Sequence, residues 1–386
     1  DGKGNYPKKL SIKFTVDAYE DDSTKAEFSW GRVVGTIAPH IADEPTQFLN
    51  ARVLHPANPA GYPPTASKMT GDVNTAYCRV DDDLTTLILD LGNSIRCKTL
   101  DGPLVNMGNL AVGVLMKRQQ NKLVVLGDID YKDDNFYTSD GGVFSLRLSG
   151  AQMRQVRTNP IVVLYYSETY NQFFPILQES SSGIMVRANN FVYRFNPGES
   201  HDVEFFGNYF GKPIKNQTIY LADLATTNGM PVQTEALTYP KSIKTDANGK
   251  AVLPVQSHNP GSPRPHIDGQ VYTIGYGTNK NAIAPDGSSE FSISTLVWTQ
   301  YDIPDNPTWI RDVQPIFIQY YNLYPVMKSI LDLSNYHSVV KKKLALQLVF
   351  GLPVHDPNYM PVTRDLSDNK KAMIMKWLGM DMPTYI

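Results

Sequence analysis

Cysteine is nearly absent from this chain, with two in 386 residues, Cys78 and Cys97. A chain of this length can bury enough apolar surface to hold together without covalent staples, so no disulfide framework is required. The pair is separated by about one hairpin's worth of residues, and two readings stay open: a bridge between neighbouring strands, or two buried thiols. Charge of one sign is missing as well. Lys and Arg number 36 against 38 Asp and Glu, a formal net charge of -2, and the basic residues are scattered apart from Lys341-Lys342-Lys343. No field exists to gather a polyanion, and nucleic acid is not an expected partner. No apolar run approaches the roughly 20 residues that a membrane-crossing helix needs, so no transmembrane segment is expected. Complete catalytic signatures are lacking too. There is no Gly-x-Ser-x-Gly elbow, phosphate-binding glycine loop or dinucleotide fingerprint, and Gly31-Arg32-Val33-Val34-Gly35 has neither the spacing nor the following helix.

What is present leans toward strands and turns: 27 Gly, 27 Pro and 22 Tyr, in a chain long enough for two or three cores. The expected fold is mainly β. It has a β-sandwich domain over residues 1–184, a second β-sandwich over 185–303 and a small α-helical C-terminal domain over 304–386. Leu10-Ser11-Ile12-Lys13-Phe14-Thr15-Val16 alternates strictly, which predicts a strand with Leu10, Ile12, Phe14 and Val16 on one buried face. Further strands are expected over 85–91, 110–116, 123–129, 143–148 and 161–166, at the dozen-residue spacing of a sandwich or barrel. The Pro-rich stretch Leu54 to Lys68 reads as a long surface loop. The chain starts at Asp1 with polar residues through Lys9, which suggests a processed start and a secreted or cell-surface location.

The middle segment carries two turn phrases, Gly211-Lys212-Pro213-Ile214 and Thr245-Asp246-Ala247-Asn248-Gly249-Lys250-Ala251. Together they resemble the immunoglobulin-like repeats of bacterial surface proteins of the invasin type, over about residues 186–302. The resemblance implies an immunoglobulin-like sandwich in which the first phrase begins a strand and the second is a hairpin turn. It implies fold and not chemistry. Asn216-Gln217-Thr218 also fits the glycosylation acceptor pattern at Asn216.

The last segment is expected to be helical. Pro315 and Pro325 bound its first stretch, Val340, Leu344 and Leu348 recur at four-residue spacing, and Ser367 is placed to cap a last helix with Met373, Ile374, Trp377 and Leu378 on one stripe. Around Tyr321-Asn322-Leu323-Tyr324-Pro325 this segment resembles a cytochrome c domain that lacks the haem-attachment motif. Tyr321, Tyr324 and Pro325 stand where that family has its two cysteines and its histidine. The resemblance implies a helical cap in which Tyr320, Tyr321, Tyr324 and Trp377 fill the cofactor space with packed rings. A non-covalent haem held by Met360 with His337 or His355 is the alternative.

Other ligand sets are open. Asp128, Asp130, Asp133 and Asp134 form an acidic knot after a strand, and oxygen ligands at that spacing suit calcium or a solvated turn. The seven histidines, His40, His55, His201, His258, His266, His337 and His355, contain no His-x-His pair of the kind a copper site uses. The expected function is a non-catalytic, extracytoplasmic binding, structural or assembly protein. It would act through β-sandwich surfaces on a protein or carbohydrate partner, or on copies of itself. The alternative is an oxidoreductase, or an accessory region of one, with a metal or haem between the β domains and the helical cap.

Overall fold

The computed structural model describes residues 9–17, 19–40, 44–98, 104–133, 135–224, 226–227, 230–264, 268–280 and 292–385. Strands β1 (Leu10–Asp17) and β2 (Arg32–Pro39) pair as an antiparallel hairpin separate from the other sheets. The N-terminal body follows: β3 (Arg52–Pro56), α1 (Pro64–Gly71), β4 (Ala76–Asp81), β5 (Thr86–Asp90), β6 (Asn109–Met116), β7 (Lys122–Ile129), α2 (Asn135–Thr138), β8 (Val143–Arg147), α3 (Gly150–Val156), β9 (Ile161–Ser167) and β10 (Gln172–Glu179). Its eight strands form one antiparallel sheet in the order β7-β6-β9-β10-β3-β4-β5-β8. The sheet curls until its ends meet. A Cβ on Gly127 of β7 would sit 3.0 Å from Leu146 of β8, and the Gln152 side chain of α3 donates to the Leu126 carbonyl at 3.1 Å. The two halves thus face each other across a core that includes Leu54, Leu87, Leu89, Val112, Ile161 and Ile176. It is a sandwich built from a continuous sheet.

The stretch from Leu54 to Lys68 is not the surface loop expected from its prolines. Leu54 is fully buried on β3, and Pro64 occupies the first turn of α1, where a ring-fixed φ and a missing N–H cost the helix nothing. Helix α3 begins with a reciprocal cap between Ser149 and Gln152.

The second β unit contains β11 (Ile184–Ala188), β12 (Val192–Phe195), β13 (Ser200–Tyr209), β14 (Lys212–Pro213), β15 (Thr218–Asp223), β16 (Thr226–Thr227), β17 (Met230–Pro231), β18 (Leu237–Thr238), β19 (Ser242–Lys244), β20 (Lys250–Ser257), β21 (Gln270–Gly277) and β22 (Ser292–Val297). One sheet runs β11-β13-β20-β18 with β14 on β13, and the other runs β12-β22-β21-β15-β19. They enclose Phe195, Phe205, Ile219, Leu253, Ile274 and Ile293. Strand β11 joins one sheet and β12, three residues later, joins the other parallel to β22. The Asp246–Gly249 turn is held by the Asp246 carboxylate, which accepts from Asn248 N–H at 2.8 Å and Lys250 N–H at 2.9 Å. It links β19 in one sheet to β20 in the other. The strands it joins belong to opposite layers and are not the ladder partners that a hairpin turn implies.

Between the two β units, the Phe210-Gly211 turn after β13 is pressed onto the N-terminal body. Phe210 is 5% exposed and has φ +46°. Its ring packs on Gly183, where any Cβ would overlap it, and under the Arg52 guanidinium, 5.0 Å from the ring centre. Arg52 is buried. It donates to Glu179 through Nε at 2.9 Å and again through Nη2, to the Val156 carbonyl at 2.5 Å and to the Asn159 carbonyl at 2.8 Å. Burial pushes the Glu179 carboxyl up, and the Arg52 charge opposes it. Asp82 adds exposed ion pairs to Arg157 at 2.9 Å and to Lys212 of the second unit, which contribute little beside the buried packing.

The C-terminal unit holds a π-helical turn (Trp309–Val313), α4 (Gln314–Leu323), a 3-10 turn (Pro325–Ser329), α5 (Tyr336–Lys341), α6 (Lys343–Gly351) and α7 (Asp368–Gly379). Ser367 caps α7, and Met373, Ile374, Trp377 and Leu378 are fully buried. The four-residue stripe does not survive: the helix breaks at Lys342, and Leu344 and Leu348 are 80% and 65% exposed. Leu346 and Phe350 are buried in their place, because α6 is apolar on most sides and its sequence does not specify which face turns inward. The unit is docked on the second sandwich. Asn196 bonds both the carboxylate and the N–H of Asp368 (3.0 and 3.2 Å), Trp298 donates to the Asp365 carbonyl at 3.0 Å, and Lys370 pairs with Asp268 at 2.8 Å.

Candidate functional site: the N-terminal hairpin and the cavity beneath it

In the β1–β2 ladder Ile12 stands opposite Ile37, Phe14 opposite Gly35 and Val16 opposite Val33. Residues directly opposite one another in an antiparallel pair share a face. Leu10, Ile12, Phe14, Val16, Val33 and Ile37 therefore line one side, as the alternation predicts for β1. That side is turned to solvent: the six are 54–68% exposed. The expected buried face is exposed because alternation tells which residues share a side, not where the core lies. Glycine is required at position 35, since a Cβ there would overlap the β1 backbone and Phe14 Cβ.

The opposite, polar side anchors the hairpin. Lys13 pairs with Glu44 at 3.8 Å, and the Glu44 carboxylate also bonds Ser11 and the His40 ring nitrogen, the latter at 2.8 Å. Arg32 donates to Cys97 Sγ at 2.9 Å. Between the strands, residues 19–31 form a folded tip. Glu20 and Trp30 bond through their backbones (2.9 Å), and Lys25 bridges to Glu20 at 2.7 Å. That Lys25 hydrogen bond holds the Glu20 carboxyl below the usual carboxylate range. Tyr19, Phe28 and Trp30 are 46–59% exposed on the tip.

Beneath the hairpin lies a cavity of about 890 Å³. Its walls include Lys13 of the hairpin, Phe48, Tyr77, Asp90 and Arg96 of the body, and Arg187 of the second β unit. Arg187 lies over the Phe48 ring at 5.0 Å and reaches the Tyr77 hydroxyl at 3.5 Å. Burial pushes the Asp90 carboxyl up, while its hydrogen bond from Gly92 N–H (3.0 Å) opposes the shift. Three cations and one carboxylate give the space a positive character. The lining also carries the Thr46, Thr70 and Thr75 hydroxyls, so the groups present can hold a ligand through both charge and hydrogen bonds.

The other candidate residues lie apart from this site. Cys78 and Cys97 are unbridged thiols. Cys78 is fully buried, which pushes its thiol up to about 12. Asp128 lies on β7, Asp133 accepts the Asn135 N–H at 2.8 Å, and Asp134 lies outside the described residues. Among the described residues, no three His, Cys, Asp or Glu side chains come together as a metal site. His201 packs edge-on against Phe195 at 4.6 Å, His258 bonds Thr238 at 2.9 Å, and His266 is outside the described residues. Asn216 is exposed at the turn before β15. In the C-terminal unit Met360 is half-buried against the helical core, whereas His337 and His355 are exposed. Trp377 sits 5.7 Å from Trp309, and Tyr320 is buried, stacks on Tyr324 at 6.5 Å and donates to Asp365 at 3.1 Å. Tyr321 and Tyr324 are half-buried, with Lys328 over the Tyr321 ring at 5.6 Å.

No protein-family model matches the chain, and no curated protein matches it. Among solved structures it is similar to the D00-D0 domain of intimin, at 12% identity and a TM-score of 0.21 over 58% of this chain and 100% of that one. Domains 4 and 5 of the S-layer protein SbsC match at 10% identity and a TM-score of 0.21, over 58% and 90% of the two chains. The ectodomain of the teleost fish polymeric Ig receptor matches at 9% identity and a TM-score of 0.21, over 56% and 92%. The two-sheet description of residues 184–297 rests on their own strand order. Sequence reasoning missed the Arg52, Glu179 and Phe210 joint. Its one linear trace is a pair of glycines, Gly183 and Gly211, at φ +70° and +79°.

Proposed function

We propose that this is a non-catalytic binding and assembly protein, secreted or displayed at a cell surface, that works through exposed β surfaces. The observation that carries the proposal is the outward face of β1–β2, where six aliphatic and aromatic side chains stand in water on a hairpin whose other side meets the body through Arg32 on Cys97 and Val34 against Gly92. A contiguous apolar patch of this kind marks an interaction surface, since leaving it hydrated wastes its burial free energy. A mainly aliphatic face suits a protein better than a carbohydrate, whose hydroxyls would lose their hydrogen bonds against it. The buried Arg52–Phe210 joint supports the same reading, because it holds the second β unit firmly against the body that presents the hairpin.

The test presents the full chain at micromolar concentration to defined extracellular proteins and polysaccharides and to itself, with and without Ile12→Ser/Ile37→Ser. Retention or assembly that the double substitution abolishes is the expected result. A wild-type chain that retains nothing and stays monomeric sinks the proposal.

A further inference from the structure

The cavity beneath the hairpin carries a site of its own: we infer that it binds an acidic saccharide whose carboxylate or sulfate groups meet Lys13, Arg96 and Arg187. All three line the one space, and none is fully neutralised by another described residue. Lys13 Nζ approaches Glu44 only to 3.8 Å, beyond hydrogen-bond reach, and that carboxylate is already engaged by Ser11 and His40. Arg187 has its guanidinium over Phe48 and a long contact of 3.5 Å to the Tyr77 hydroxyl. Arg96 makes no side-chain hydrogen bond or ion pair among the described residues. Asp90, the one acid on the walls, accepts from Gly92 N–H and pairs with none of the three. Three cations around one recess with so little internal neutralisation keep their donors for an anion from outside.

Hydrogen-bonding groups on the same walls select the rest of the ligand. Asn93 Oδ1 is buried there with no partner, an acceptor that gains from a donor such as a hydroxyl. The amides of Gln47 and Asn74 and the Thr75 hydroxyl also line the space, and such groups suit hydroxyls, which both donate and accept. Phe48 is 3% exposed beneath Arg187, so its ring has no open face for a nucleobase. At about 890 Å³ the space is far larger than an inorganic ion needs and falls among pockets for organic ligands, roughly 300–1,000 Å³. A sugar chain with acidic substituents satisfies these groups together.

Isothermal titration calorimetry of the full chain provides the test, with trigalacturonate, a heparin-derived tetrasaccharide, maltotriose, AMP and sodium sulfate as probes. The expected result is binding of at least one acidic saccharide that weakens as salt rises, with maltotriose, AMP and sulfate bound at least about tenfold more weakly. Preference for trigalacturonate assigns the cations to carboxylate, and preference for the heparin fragment assigns them to sulfate. Arg96→Gln and Arg187→Gln each lower the affinity by about tenfold or more. Arg96 is exposed, so its variant keeps the wild-type melting temperature and separates lost binding from lost folding. Failure of both acidic saccharides to bind at millimolar concentration overturns the inference. So does binding that both substitutions leave unchanged, or that maltotriose, AMP or sulfate equals. Ile37→Ser, off the cavity walls, leaves saccharide binding intact while weakening retention of a protein on the outward face, so the two proposals stand or fall separately.

Discussion

Replacing Phe210 tests the joint between the β units, and comparing two replacements separates packing from backbone strain. The ring is 5% exposed, with Gly183 on one side and the Arg52 guanidinium on the other. Truncation to Ala is expected to cost about 4 kcal/mol, near the middle of the range for buried Phe→Ala, because glycine has no side chain to move into the void. Phe210 also sits at φ +46°, where a side chain costs about 1 kcal/mol that glycine does not pay. Phe210→Gly should therefore be less harmful than Phe210→Ala by about that amount, the reverse of the order at an ordinary strand position. Gly183→Ala meets the same ring and has φ +70°; strain and overlap together cost about 3 kcal/mol. With the ring gone only the strain remains, so Gly183→Ala/Phe210→Ala should fall about 2 kcal/mol short of additivity. Calorimetry and urea unfolding of the full chain measure these values. Single mutants should also split the melting of the N-terminal body from that of the second β unit. Additivity within about 0.5 kcal/mol would show that the two residues do not meet and would refute the reasoning.

Two further outcomes follow from burial. Asp90 has its carboxyl raised by desolvation, so the folded chain holds a proton that the unfolded chain has released. Stability at this site is full below the usual carboxylate value, falls as pH rises through the window up to the raised value, and is level above it; Asp90→Asn should stabilise more at pH 7 than at pH 4, and an equal gain at both would refute the assignment. In the helical unit, Tyr320→Ala should cost about 3–4 kcal/mol and the half-buried Tyr324→Ala about 1 kcal/mol, and equal melting shifts would contradict the packing described.

The sequence was most informative where local periodicity decides the outcome. Strands β5 to β9 follow from short apolar segments at about dozen-residue spacing, two of them, β6 and β9, being continuous apolar runs, and the Ser367-capped α7 follows from stripe spacing and a hydroxyl at the N-cap; all of these act over short stretches of chain. The orientation of the hairpin was not legible, because Leu10, Ile12, Phe14 and Val16 show the same pattern whether the core or a partner covers them. Leu344 and Leu348 misled for a related reason: on a helix apolar nearly all round, the neighbours choose the buried face. Asp246–Gly249 was recognisable as a turn, but not that its two arms enter different sheets. The Arg52–Glu179 pair and its Phe210 lid are separated by 127 residues and by a unit boundary; no local pattern connects them.

The parallel pairing of β12 with β22 has a mechanical consequence. The leading end of Val192–Phe195 and the trailing end of Ser294–Val297 lie at opposite ends of one ladder. Pulling the flanking segments apart along the strands loads its rungs together in shear, where an antiparallel pair gripped at one end would unzip a rung at a time. Tension carried along the chain would meet its resistance at those four residue pairs.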